Sequence, residues 1–136
     1  MKDQIRIMIV DDHEMVIQGL KALIENQPGF RVTSTYNSGL EAIKAYETDK
    51  QDIVLMDINM PIINGFETSA EILSKNKDEK IIMLSMEVTR AYMKKALEEG
   101  IKGYVSKSAD IFELLSAIKS VFQGNKSFSN FISINS

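Results

Sequence analysis

Five short apolar runs punctuate the chain, at Ile5–Val10, Arg31–Tyr36, Asp52–Asp57, Lys80–Ser85 and Ile101–Ser106. Each has the length and the β-branched content of a strand rather than of a buried helix. Between and after them apolar residues recur at helical spacing: Val16, Leu20, Leu23 and Ile24; then Leu40, Ile43 and Tyr46; then Phe66, Ala70 and Leu73. A polar-rich fourth segment spans Glu87–Glu99, and a fifth carries Ile111, Leu114, Leu115, Ile118 and Phe122. Strands alternating with helices predict the α/β class, a doubly wound parallel sheet of five strands with five helices covering its two faces.

Boundary residues support these elements. Ser38 with Glu41 fits a capping box, and Asp110 supplies negative charge to the first turn of the last helix. Gly100 and Gly124 sit where a left-handed residue ends a helix, and Pro28-Gly29 separates the first helix from the second strand. Ile53–Met56 and Ile81–Leu84 are apolar without interruption, as strands covered on both faces must be, and Ile5–Val10 is nearly so. Those three belong at the centre of the sheet. Arg31–Tyr36 and Ile101–Ser106 mix in polar residues and glycine and suit its edges. Strand order 2-1-3-4-5 meets these demands with right-handed crossovers. After Gly124 the chain turns to Ser and Asn without helical periodicity, so residues 1–124 are read as one domain and 125–136 as a linker or tail.

Composition narrows the possibilities. The 136 residues are enough for one core without a staple, and no apolar stretch approaches the roughly 20 residues that cross a bilayer. Met1-Lys2-Asp3 leads straight into the first strand with no hydrophobic leader, which predicts a cytoplasmic protein. There is no cysteine, so any metal must be held by oxygen or by the single histidine. A net charge of −3 offers no basic surface for nucleic acid. The eight methionines are read as packing residues, and Arg90, Lys94, Lys95, Glu98 and Glu99 as a solvated helix face.

The candidate chemistry lies at strand ends. In an open parallel sheet ligands bind beyond the carboxyl ends of the strands, where the winding reverses, here between strands one and three. Asp11 and Asp12 follow the first strand and Asp57 closes the third. One such aspartate would be read as a helix cap; three from two adjacent strands need a cation or a proton to offset their repulsion. Mg²⁺, a hard ion content with two or three protein oxygens, suits them. Ser85 ends the fourth strand and Lys107 follows the fifth, adding a hydroxyl and an ammonium at the same edge, as a bound phosphoryl group requires. His13 is read as a solvated residue at the start of the first helix.

Asp11-Asp12, the run Asp57-Ile58-Asn59-Met60-Pro61 with Gly65, Ser85 after an apolar strand, and Gly103-Tyr104-Val105-Ser106-Lys107 together resemble the receiver domains of bacterial two-component response regulators, over Ile5 to Gly124. Asp11-Asp12-His13 with Val16, Gly19 and Leu20, and the stretch from Gly100 to Ile118, resemble the subfamily that precedes a LuxR-type helix-turn-helix output domain. The resemblance implies a flavodoxin-like receiver fold and a signalling switch in place of an enzyme acting on foreign substrates. Asp57 would take a phosphoryl group from a sensor histidine kinase or phosphotransfer protein. Asp12, Asp57 and the backbone carbonyl of Asn59 would hold Mg²⁺, with Asp11 acting through a metal-bound water. Lys107 and Ser85 would contact the phosphoryl oxygens, and Ser85 with Tyr104 would form the switch. On position alone Tyr104 reads equally as a half-buried edge-strand aromatic. A homodimer is among the partners implied, and DNA would be bound through an output domain outside this chain.

One rival uses the same groups. Haloacid-dehalogenase-like phosphatases also pass through an aspartyl phosphate, but carry an aspartate as general acid two residues after the nucleophile. Here that position is Asn59, which cannot donate a proton to a leaving group. A receiver that signals by docking without phosphate is the second rival, and the complete set of acceptor residues does not favour it.

Overall fold

The computed structural model describes residues 4–128. Its elements run β1 (Ile5–Val10), α1 (Glu14–Glu25), β2 (Phe30–Tyr36), α2 (Gly39–Tyr46), β3 (Ile53–Asp57), α3 (Gly65–Lys75), β4 (Ile81–Ser85), α4 (Arg90–Glu98), β5 (Gly103–Ser106), α5 (Ile111–Phe122) and β6 (Ser127–Phe128). All strand pairs are parallel, in the order β2-β1-β3-β4-β5-β6. The predicted order holds for the first five strands.

Alternation along the strands divides the core between the faces of the sheet. Ile7, Ile9, Ile53, Leu55, Ile82 and Leu84 pack with Ile17 and Ile24 of α1 and with Leu114 and Ile118 of α5. Met8, Val10, Val54, Met56, Ile81 and Met83 pack with Ala42, Ile72 and Met93 of α2, α3 and α4. Each such Ile or Leu removed from water contributes roughly 2 kcal/mol. Five of the methionines, Met8, Met56, Met60, Met83 and Met93, fill this second layer, whereas Met15 and Met86 face solvent.

Several expectations are corrected. Ser127 and Phe128 add a sixth strand beside β5, so Ile101–Ser106 is not an edge over its first half, and Ile101 and Lys102 precede the strand. The remainder of the expected tail lies outside the described residues. The buried helical stripes differ in part from those expected: Ile24, Tyr46 and Phe66 are buried, but Leu23, Leu40 and Ala70 are exposed, and Ile17, Ala42 and Ile72 are fully buried. Close approach of α2 to α3 explains part of this, because a Cβ on Gly39 would lie 2.0 Å from Thr68 Oγ1. Small residues, not Leu40, let these two helices meet.

The helix ends follow local chemistry. Ser38 accepts from the Glu41 N–H, one arm of the expected box, while Asn64 with Glu67 makes a complete capping box on α3. Asp110 is the N-cap of α5 and accepts from the Glu113 N–H, a closer role than the charge effect expected of it. Gly100 and Gly124, with φ of 89 and 103°, follow α4 and α5 in the left-handed region, and Gly29, with φ of 95°, turns the chain into β2. Among the described residues no helix is long and apolar enough to cross a membrane.

Candidate acidic site at the carboxyl edge of the sheet

Strand register assembles the site. Val10 pairs with Met56, which sets Asp11 and Asp57 side by side one residue further on. Asp57 pairs with Leu84 and Ser85 with Ser106, so the fourth strand ends in its hydroxyl at the same edge and Lys107 emerges just beyond it. The backbone N–H of Lys107 still donates to the Ser85 carbonyl at 2.9 Å, carrying the ladder one residue past β5.

Asp11 and Asp57 are almost fully buried. Lys107 Nζ bridges them, 2.8 Å from Asp11 Oδ2 and 2.9 Å from Asp57 Oδ1. The other Asp11 oxygen accepts from the His13 backbone N–H at 2.8 Å. Burial raises the Asp57 carboxyl above the ordinary carboxylate range; Lys107 opposes this, and Asp11 and Asp12 add to it. Burial works against the Lys107 ammonium, but Asp11 and Asp57 together outweigh it and hold its pKa above that of an ordinary lysine.

Two buried oxygens, Asp12 Oδ1 and Asp57 Oδ2, have no hydrogen-bond partner among the described residues. The His13 Nδ1 lies 3.1 Å from that Asp12 oxygen, close enough to feel its charge but outside hydrogen-bonding geometry. One ligand atom from each of Asp11, Asp12, His13 and Asp57 falls within 4.8 Å of the others. Buried carboxylate oxygens are costly to leave unpaired. A hard divalent cation bound through oxygen would satisfy both, and the donor set fits one.

The remaining expected residues lie around this cluster with separate partners. Ser85 is fully buried, and its Oγ accepts from the Glu87 N–H at 3.0 Å. Tyr104 is not half-buried but wholly inside, its hydroxyl donating to the Glu87 carbonyl. Asn59 is exposed, two residues past Asp57. His13 is exposed as expected, yet its ring sits against both Asp11 and Asp12, a proximity that one histidine in sequence could not announce.

The loop after Asp57 is tightly held. The Gly65 N–H donates to the Ile58 carbonyl at 2.8 Å, bringing the start of α3 against the end of β3. A Cβ on Gly65 would lie 2.2 Å from the Asp57 carbonyl oxygen and 2.8 Å from the Ile58 Cα, both backbone atoms that cannot turn aside. Gly65→Ala is therefore expected to cost about 3 kcal/mol and to displace Asp57. Urea denaturation checks the first effect; an unchanged midpoint would show that the loop yields. Between them, Ile62 has φ 73° and sits in a three-residue turn closed by Ile63 N–H to the Pro61 carbonyl at 2.9 Å. A β-branched residue in that region is strained, and this one is 84 % exposed.

Comparison with known proteins gives the family. The response regulator receiver domain family matches residues 7–119. This chain belongs to that family. It is 38 % identical over 122 residues to the response regulator UvrY of Escherichia coli K12, covering 90 % of this chain and 56 % of UvrY. It is 34 % identical over 123 residues to the transcriptional regulatory protein DegU of Brevibacillus brevis, covering 90 % of this chain and 52 % of DegU. A crystal structure of a LuxR-family two-component response regulator from Aurantimonas sp. SI85-9A1 superimposes with a TM-score of 0.91 at 36 % identity, covering 97 % of this chain and 94 % of that one. The receiver thus spans about half the length of the curated relatives it matches.

Proposed function

We propose that this receiver accepts a phosphoryl group on Asp57 Oδ2 from a phosphohistidine of a sensor histidine kinase or phosphotransfer protein. The observation that carries the reading is the pairing state of Asp57: Lys107 holds one oxygen, while the other is buried and unpartnered at the mouth of the acidic cluster. The free oxygen attacks phosphorus as the phosphorus–nitrogen bond breaks, and the leaving imidazole keeps its electron pair and takes up a proton. Mg²⁺, held by Asp12, Asp57 and the Asn59 backbone carbonyl with Asp11 behind a water, would offset negative charge on the approaching phosphoryl oxygens. Lys107 pairs with one phosphoryl oxygen, and the Ser85 hydroxyl donates to another. Neither group moves far, because Lys107 is already held by two carboxylates and Ser85 by Glu87.

The surroundings suit a protein donor. Met15, Ile62, Met86 and Phe112 are exposed on the loops and first helical turns that ring the acidic cluster. Beside them lies a cavity of about 260 Å³ lined by Val16, Leu20, Met86, Lys107, Ile111 and Leu114. Exposed apolar side chains grouped beside a charged site are what a protein partner can cover. The names of DegU and of the Aurantimonas regulator support an output that controls transcription, through a LuxR-type DNA-binding domain outside this chain. With Asn59 where a phosphatase would need an acid, the phosphoryl group is held as a signal and lost slowly.

Incubation with Mg²⁺ and acetyl phosphate followed by intact-mass measurement tests the reading. A single-phosphate adduct is expected, and EDTA is expected to suppress it; a chain that stays at its unmodified mass would refute the assignment. Sustained phosphate release from small phosphomonoesters would instead favour a phosphatase.

A further inference from the structure

His13 occupies a position that local structure gives no reason to fill with histidine. It is the N-cap of α1, where a short hydroxyl, amide or carboxylate side chain serves best, and its ring makes no capping hydrogen bond. The ring turns to the acidic cluster instead, with Nδ1 3.2 Å from Asp11 Oδ1 and 3.1 Å from Asp12 Oδ1.

A hydrogen bond accounts for only part of that contact. A proton on Nδ1 can go to Asp11 Oδ1, but that oxygen already accepts from the His13 backbone N–H at 2.8 Å, and Lys107 holds the other Asp11 oxygen. The oxygen without a partner among the described residues is Asp12 Oδ1, and the ring stands beside it outside hydrogen-bonding geometry. A cation shared by the two atoms suits both, since each offers a lone pair. The spacing suits one as well. Bonds of about 2.1 Å place neighbouring ligand atoms about 3.0 Å apart around an octahedral ion and about 3.4 Å apart around a tetrahedral one. Both observed separations fall between these values. Asp57 Oδ2, on a side chain that is almost fully buried, is a further unpartnered oxygen at the same cluster. One atom from each of Asp11, Asp12, His13 and Asp57 lies within 4.8 Å of the others, a span that a single ion bridges.

We propose that His13 makes the acidic cluster a mixed nitrogen and oxygen site that favours a later first-row divalent ion such as Zn²⁺ over Mg²⁺, with His13 Nδ1, Asp12 Oδ1 and Asp57 as ligands. Imidazole is a preferred ligand of such ions, whereas Mg²⁺ takes oxygen and retains several waters. With Nδ1 on the metal, the ring proton sits on Nε2, on a side chain that is 65 % exposed. The inference rests on the reading of the cluster as a divalent-cation site and adds to it one ligand and a choice of ion. Zn²⁺ and Mg²⁺ then compete for the same aspartate oxygens.

Nitrogen NMR of the full 136-residue chain carrying ¹⁵N-labelled histidine tests this, because His13 is its only histidine and every ring-nitrogen signal belongs to it. One equivalent of Zn²⁺ is expected to move the Nδ1 resonance to the range of a metal-bound nitrogen and to leave Nε2 protonated; saturating Mg²⁺ is not expected to do so. Calorimetric titration supplies the affinities. An all-oxygen site also prefers Zn²⁺ to Mg²⁺, so the informative quantity is the ratio of the two affinities. His13→Ala is expected to lower that ratio about tenfold, the least that losing an outer-shell partner of a metal typically costs. Asp12→Asn is expected to abolish the Nδ1 shift at the same Zn²⁺ concentration. Zn²⁺ bound with no shift at Nδ1, or an unchanged ratio in His13→Ala, overturns the histidine ligand while leaving the divalent-cation site intact. A shift that persists in Asp12→Asn places the ion on a solitary surface histidine and overturns it too. Binding of neither ion overturns both readings. The NMR measurement needs no substitution, so it decides the matter even for a variant that folds poorly.

Discussion

Asp57→Asn is expected to yield no phosphate adduct under conditions that modify the unsubstituted chain fully. Asparagine keeps the shape of the side chain, but its neutral amide oxygen is a poor nucleophile toward phosphorus. The neighbouring carboxylates are poor substitutes: both Asp11 oxygens are already held, one by the His13 N–H and one by Lys107. Loss of reactivity should not reflect loss of fold. The substitution removes an anion that burial, Asp11 and Asp12 all disfavour, so the unfolding midpoint is expected not to fall. Intact mass and a urea titration on the same preparation separate the two effects. An adduct that persists in Asp57→Asn would move the acceptor to another group, with Asp12 and its unpartnered oxygen the first to examine by peptide mapping.

Lys107→Ala is expected to be the most damaging substitution in the site for stability. The ammonium is the only cation bridging two buried carboxylates among the described residues, and removing it leaves Asp11 and Asp57 facing each other with no compensating charge. Breaking a buried pair from one side costs about 3 kcal/mol, limited here because Asp57, whose pKa is already raised, can take up a proton instead. Denaturation in EDTA measures the loss. Millimolar Mg²⁺ is expected to restore more stability to the variant than to the parent chain, since a ligand that binds only the folded state stabilises it by mass action. The variant is expected to be phosphorylated slowly, because Asp57 Oδ2 remains. Equal midpoints in EDTA would show that Lys107 does not hold these carboxylates.

How much of this was legible in the residues varies with the range of the interaction involved. Ile53–Met56 and Ile81–Leu84 are unbroken apolar runs, and only strands covered on both faces can use them, so the centre of the sheet followed from local pattern. The full buried stripes of α1, α2 and α3 did not, although Ile24, Tyr46 and Phe66 are buried as expected. Leu23 and Leu40 are as apolar as Ile17 and Ala42, and the choice between adjacent stripes depends on which one the sheet and neighbouring helices leave room for. Gly39 against Thr68 shows that room being set by a partner 29 residues away. The strand at Ser127–Phe128 was invisible for a related reason. Two residues rich in neither β-branching nor alternation carry no strand signal, and their pairing depends on the open edge of β5 and on the apolar surface around Tyr104.

Residue types and their order were sufficient to place Asp11, Asp12, Asp57, Ser85 and Lys107 at one edge of a parallel sheet, because strand ends are set by short-range pattern and the crossover rule orders the strands. Which oxygen of Asp57 is held and which is left free, the turn of His13 toward the acidic pair, and the burial of Tyr104 against Glu87 were decided by tertiary structure. Asp57 with Lys107 and Glu87 with Tyr104 meet only through the tertiary fold, and His13 reaches its near neighbours Asp11 and Asp12 only because of the path the chain takes after β1. No periodicity encodes them, and the chain acquires them only when the strands come into register.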